Sequence, residues 1–126
     1  MRYRYLLACL ALVPFVTSAT AECLKDVEGQ TAQGQLTIGT AHDAAGRLEK
    51  PYILRLASSV CLDTADPADA VRATRTIHVF PADEKQEPVF RRLVGKIVVV
   101  RGSPLPAITA HHHAPIVMQV TEISVR

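Results

Sequence analysis

The chain has 126 residues, a formal net charge of +2, three tyrosines, three phenylalanines and no tryptophan. That length suits one domain with a modest core. The near balance of charge excludes the basic groove of a nucleic-acid binder and the acidic run of a disordered tail.

Residues 1–21 read as a secretory leader. Met1-Arg2-Tyr3-Arg4-Tyr5 is a short basic start, 6–16 is an apolar run, and Thr17-Ser18-Ala19-Thr20-Ala21 places small residues where a signal peptidase reads. The run is shorter than the ~20 apolar residues of a spanning helix. Cleavage is expected after Ala21, leaving 22–126 as a single periplasmic or secreted domain with no transmembrane segment. Leu6-Leu7-Ala8-Cys9 has the look of a lipoprotein box, but only three apolar residues would precede the cysteine. Arg2 and Arg4 leave with the leader, so the 14 basic residues fall to the number of the 12 acidic ones. The basic character belongs to the leader.

Two cysteines remain, Cys23 and Cys61. In an oxidising compartment such a pair reads as one disulfide. It would tie the mature N-terminus to the end of a strand and add roughly 3–4 kcal/mol by restricting the unfolded chain. A redox or metal-binding pair would want a CxxC spacing, which these two do not have.

The first strand is predicted over 33–41, around Leu36 and Ile38. His42-Asp43-Ala44-Ala45-Gly46-Arg47 is small and polar and predicts a loop. A second strand runs from Pro51 to Leu62, with Tyr52, Leu54 and Leu56 on one face. Residues 63–72 predict a loop with one helical turn. A third strand, 75–80, turns Ile77 and Val79 one way and His78 and Phe80 the other, and Pro81 ends it. Pro88 is tolerated only in a first turn, so a short helix should begin near Gln86 or Glu87. Its apolar stripe is Val89, Phe90, Leu93 and Val94, and Gly95 stops it. The β-branched run 96–102 is a fourth strand, which Ser103-Pro104-Leu105-Pro106 leaves. A fifth strand spans 116–125.

Three strands, a short helix and two strands is the order of the OB-fold, a mainly β, five-stranded Greek-key barrel with one short helix between strands three and four. The loops that frame a ligand on that fold join strands one to two and four to five. Here those loops carry His42 and His111-His112-His113.

At this point the chain resembles a bacterial exported family catalogued as domain of unknown function 4431. The likeness rests on Cys23, on Tyr52-Ile53-Leu54-Arg55-Leu56, on Cys61 in Val60-Cys61-Leu62, and on the segment from Phe90 to Gly102. Its most specific piece is Ala110-His111-His112-His113-Ala114-Pro115-Ile116-Val117, a histidine-rich block before the last strand. The resemblance implies an exported, small β domain and no particular chemistry.

In an extended segment His111 and His113 would point to one side and His112 to the other. Two imidazoles so placed can serve one transition metal, zinc or copper, if a third ligand joins them. His42 is the expected third ligand, Asp43 a possible helper, and His78 on its strand less suited. The competing reading is structural: histidines that close a long loop onto backbone groups, with Pro115 fixing the return into the strand. Asp63, Asp66 and Asp69 lack the glycine and terminal glutamate of a calcium loop. Ser58-Ser59 has no nucleophile-elbow context. No nucleophile–base pairing is visible, so an enzyme is not expected. Three functions remain: a non-catalytic binding module for a protein or envelope ligand, a zinc- or copper-binding protein, and an immunity or inhibitor protein against an envelope-acting toxin. Nucleic acid is excluded as a partner by the neutral charge and few aromatics.

Overall fold

The computed structural model describes residues 9–14 and 23–126. The expected leader and its cleavage point after Ala21 lie outside the described residues, apart from residues 9–14, which are exposed and without regular secondary structure. No helix among the described residues is long and apolar enough to cross a membrane.

Among the described residues eight strands and one helix follow in order: β1 Leu24–Lys25, β2 Gln30–Ile38, β3 Ala41–His42, β4 Leu48–Glu49, β5 Tyr52–Asp63, β6 Val71–Pro81, α1 Glu87–Leu93, β7 Ile97–Pro106 and β8 Ile116–Val125. Single 3-10 turns precede β6 (Pro67–Asp69) and α1 (Glu84–Gln86). The five long strands pair in the order β5, β2, β7, β8, β6, and β6 returns to β5. Only β6 and β8 run parallel within that circuit. Numbered along the chain, the long strands close as first, second, third, fifth, fourth, first. That is the OB-fold circuit, with α1 between the third and fourth long strands as expected. Closure leaves none of the five as a free sheet edge.

The alternation of the strands builds the core. Leu36, Leu54, Ile77 and Ile116 are register partners in turn, and all four are fully buried. Val98 and Val100 on β7 and Met118 and Val120 on β8 complete the lining. Phe90 enters from α1 and is also fully buried, which is worth roughly 1.5–3 kcal/mol of hydrophobic transfer. Tyr52 packs beside it with ring centroids 5.2 Å apart. The Tyr52 hydroxyl donates to Glu87 Oε1 at 2.6 Å, so the half-buried phenol keeps a partner. Burial, and then the Glu87 carboxylate, push its pKa up to about 12.

Cys23 and Cys61 form the expected disulfide. It sits beside the parallel pair Leu24↔Leu62 and Lys25↔Asp63, so β1 is stapled to the far half of β5.

The first strand ends at Ile38, short of the expected Ala41, and four further departures from the sequence reading have a tertiary reason. The first strand begins at Gln30 because polar 30–32 finds a ladder on Val100, Arg101 and Gly102. The third begins at Val71 because β5 is long enough to pair it, through two register shifts. The fourth runs on to Pro106: residues 103–106 pair only with β8, beyond the reach of β2, so prolines cost no second ladder. His42 is not in a loop; it pairs with Leu48 in a two-residue ladder. The helix stop is where it was expected, with Gly95 at φ +88°. Gly102 marks the register shift in β7, where a Cβ would overlap the Gln119 carbonyl of β8.

Candidate functional site

The β3–β4 hairpin lies between the first two long strands. Its turn is organised by Asp43, whose Oδ1 accepts the N–H groups of Ala45 (2.9 Å) and Arg47 (2.8 Å). Oδ2 accepts from Arg47 Nε at 2.7 Å. The Asp43 side chain is only 5% exposed while that of Arg47 is 77% exposed. The Arg47 backbone donor, followed by its guanidinium, holds the Asp43 carboxyl below its ordinary value. The returning strand then presents Glu49, opposite Ala41.

The second loop, residues 107–115, lies between the last two long strands. Its base is closed by the Ala107 N–H on the Pro115 carbonyl at 3.0 Å. His112 turns inward on its own loop: its Nδ1 accepts the Ile108 N–H at 3.0 Å, and its N–H bonds the Thr109 carbonyl at 3.1 Å. The block is thus a turn, not the extended segment the sequence suggested. Even so, His111 and His113 reach the same target and His112 does not. His111 Nδ1 bonds Glu49 Oε1, and His113 Nε2 bonds Glu49 Oε2 at 3.0 Å. Those two bonds, that from His113 first, hold the Glu49 carboxyl below its ordinary value.

Beneath this bridge lies the outer face of β6. Ile77 and Val79 point into the core, so His78 between them points out. Its register partners are Ile53 and Val117, and Val117 is fully buried although it faces away from Ile116 and Met118. His78 Nδ1 accepts the His113 N–H at 3.2 Å, and the two rings stack at 5.7 Å. The His112 ring meets it edge-on at 6.5 Å. Burial, then the charges of His113 and His112, lower the His78 pKa to about 4. The ring is therefore neutral at neutral pH, with an Nδ1 lone pair free for the backbone donor.

The two loops expected to frame an OB ligand face do meet. The residues that join them are partly unexpected. Glu49 carries the bridge, and it stands in the sequence as a single acid between Leu48 and Lys50 with no pattern around it. The only signal for it is that a hairpin turn over 43–47 must bring its far strand back beside its near one. His78, read as less suited, lies against His113. Ligand atoms of Asp43, Glu49 and His111 lie within 4.8 Å of one another. His42 and His113 are outside that set; His42 is the neighbour of Asp43 in β3, opposite Leu48. Each loop also leaves one large apolar side chain in water: Leu48 is 57% exposed and Ile108 73%.

Residues 76–124 match the family described as a domain of unknown function (DUF4431). The match takes in His78, α1, β7, the histidine block and β8 up to Ser124. The other segments that carried the resemblance in the sequence, Cys23, Tyr52 to Leu56 and Cys61, lie outside it. So do Asp43 and Glu49: the matched part supplies the imidazoles of the site, and the part before it supplies the carboxylates. No curated protein matches the chain.

Proposed function

We propose that the protein is an exported, non-catalytic binding module that engages a protein or cell-envelope ligand across the face where its two framing loops meet. One observation carries this reading: Glu49 ties the first loop to the second through His111 and His113. An ordered, two-loop surface over the outer face of β6 lowers the entropy that a ligand must remove on binding. Leu48 and Ile108 are exposed on those loops, and we take them as the apolar contacts of the docked ligand. The Cys23–Cys61 disulfide suits an oxidising compartment, and the leader read over 1–21 supplies the route.

The test is site-specific photocrosslinking in the native host. A crosslinker at Ile108 is compared with one at Arg92, which is exposed on α1. A discrete adduct from position 108, lost when Leu48→Asp is added, is the expected result. Equal labelling from both positions, or none from 108, would sink the reading.

A further inference from the structure

We propose that Asp43, Glu49 and His111 form a binding site for one zinc ion, with His113 as the outer partner that orients Glu49. This inference is independent of what the loop face docks.

The donor set argues for zinc. One imidazole and two carboxylates suit a borderline divalent ion, whereas calcium and magnesium prefer oxygen alone. Three protein ligands with a fourth position for water is a known zinc arrangement. Zinc bonds of about 2.0–2.2 Å hold ligand atoms roughly 3.4 Å apart around a tetrahedron. Asp43, Glu49 and His111 already lie within 4.8 Å of one another, so shifts of about an ångström would bring them to that spacing.

The surrounding bonds prepare the ligands. Asp43 is fixed by two backbone N–H groups that fill Oδ1, which leaves Oδ2 as its ligand atom. Arg47 Nε occupies Oδ2, but its side chain is 77% exposed and can turn into water when a cation arrives. Glu49 offers Oε1 towards His111 while His113 Nε2 holds Oε2 at 3.0 Å. Carboxylates that bind metals are commonly held by such an outer hydrogen bond. His113 is in turn held by its N–H on His78 and is only 12% exposed.

This set differs from what three adjacent histidines suggest, and the difference makes the test. Tag-free, metal-stripped protein with its disulfide intact is titrated with zinc chloride by calorimetry, and cobalt(II) is added separately to record its visible absorption. One-to-one binding is expected, with cobalt bands of a four- or five-coordinate site. Glu49→Gln and Asp43→Asn should each weaken zinc by more than the roughly 10–100-fold typical of an outer partner, and His113→Ala by about that amount. His42→Ala should leave the affinity unchanged. Circular dichroism checks that each variant is folded, and Asp43→Asn stands in if Glu49→Gln is not. Binding no tighter than millimolar in the parent protein would overturn the proposal. So would binding that survives both carboxylate variants, since that would be capture by adjacent imidazoles alone.

Discussion

The two faces of β6 differ in how they are held. On the inner face Ile77 and Val79 join a dry core that Phe90 completes from α1. Many small contacts share the work there, and nearly every partner is fixed by strand register. On the outer face His78 and Val117 are covered by a loop held through a few polar bonds, most of them ending on Glu49, His78 or His112. A packed face loses stability when it is cut. A face held by few polar bonds loses order locally while the barrel stays folded. That contrast places the face with the fewest supporting contacts on the outside of β6.

The largest effect should come from the inner face. Phe90→Ala removes a fully buried ring and should cost about 3–5 kcal/mol, read as a lower midpoint in urea unfolding. A loss under about 1 kcal/mol would mean that α1 does not plug the barrel. Replacing Cys23 and Cys61 together with serine should cost about 4 kcal/mol, the entropy of a loop of 38 residues. The loop face should stay ordered in that variant if the barrel remains folded, because the staple holds β1 to the far half of β5.

The outer face should show itself in acid. His78 has an ordinary pKa of 6.5 and one of about 4 in the fold, chiefly through burial. The unfolded chain takes up a proton near pH 6.5 while the folded chain resists it until about pH 4. Stability is therefore complete above pH 6.5 and falls as the pH drops towards 4. For a partly buried ring the loss is on the order of 1–2 kcal/mol. Asp43 and Glu49 are held below ordinary values of 3.8 and 4.5, so their contribution declines only at lower pH. A His78→Gln variant should flatten the decline between pH 6.5 and 5.

The smallest global effect, and the sharpest local one, is expected for Glu49→Gln. The thermal midpoint should stay within a few degrees of the parent. Hydrogen exchange should quicken at the Ile108 and His113 amides, which bond the His112 and His78 rings. Unchanged protection at both amides would show that Glu49 does not hold the loop.

Much of this was readable from local patterning. The period-two alternation of 52–56 and 116–120, the β-branched run 97–100, the Phe90–Leu93 stripe and the Gly95 stop each state their element and its buried face in a few adjacent residues. From their order the barrel follows, because few topologies close five short strands around one helix. The cysteine pair was legible from its number, two in a chain read as exported, and the meeting of the two framing loops follows once the strand order is known. The length of β7 was not legible, since Pro104 and Pro106 are breakers unless the neighbouring strand has already ended.

The chain by itself thus determined the strand faces, the helix and the place of the histidine block, because hydrophobic period and turn chemistry act between residues close in sequence. Tertiary structure alone decided which groups the histidines meet. His111 and Glu49 are 62 residues apart, and His113 and His78 are 35 apart. Their encounters depend on barrel register and on the path of a hairpin turn organised by Asp43. Nothing local in the sequence encodes a contact of that range, so Glu49 carries no mark of its role until the fold brings it back beside the block.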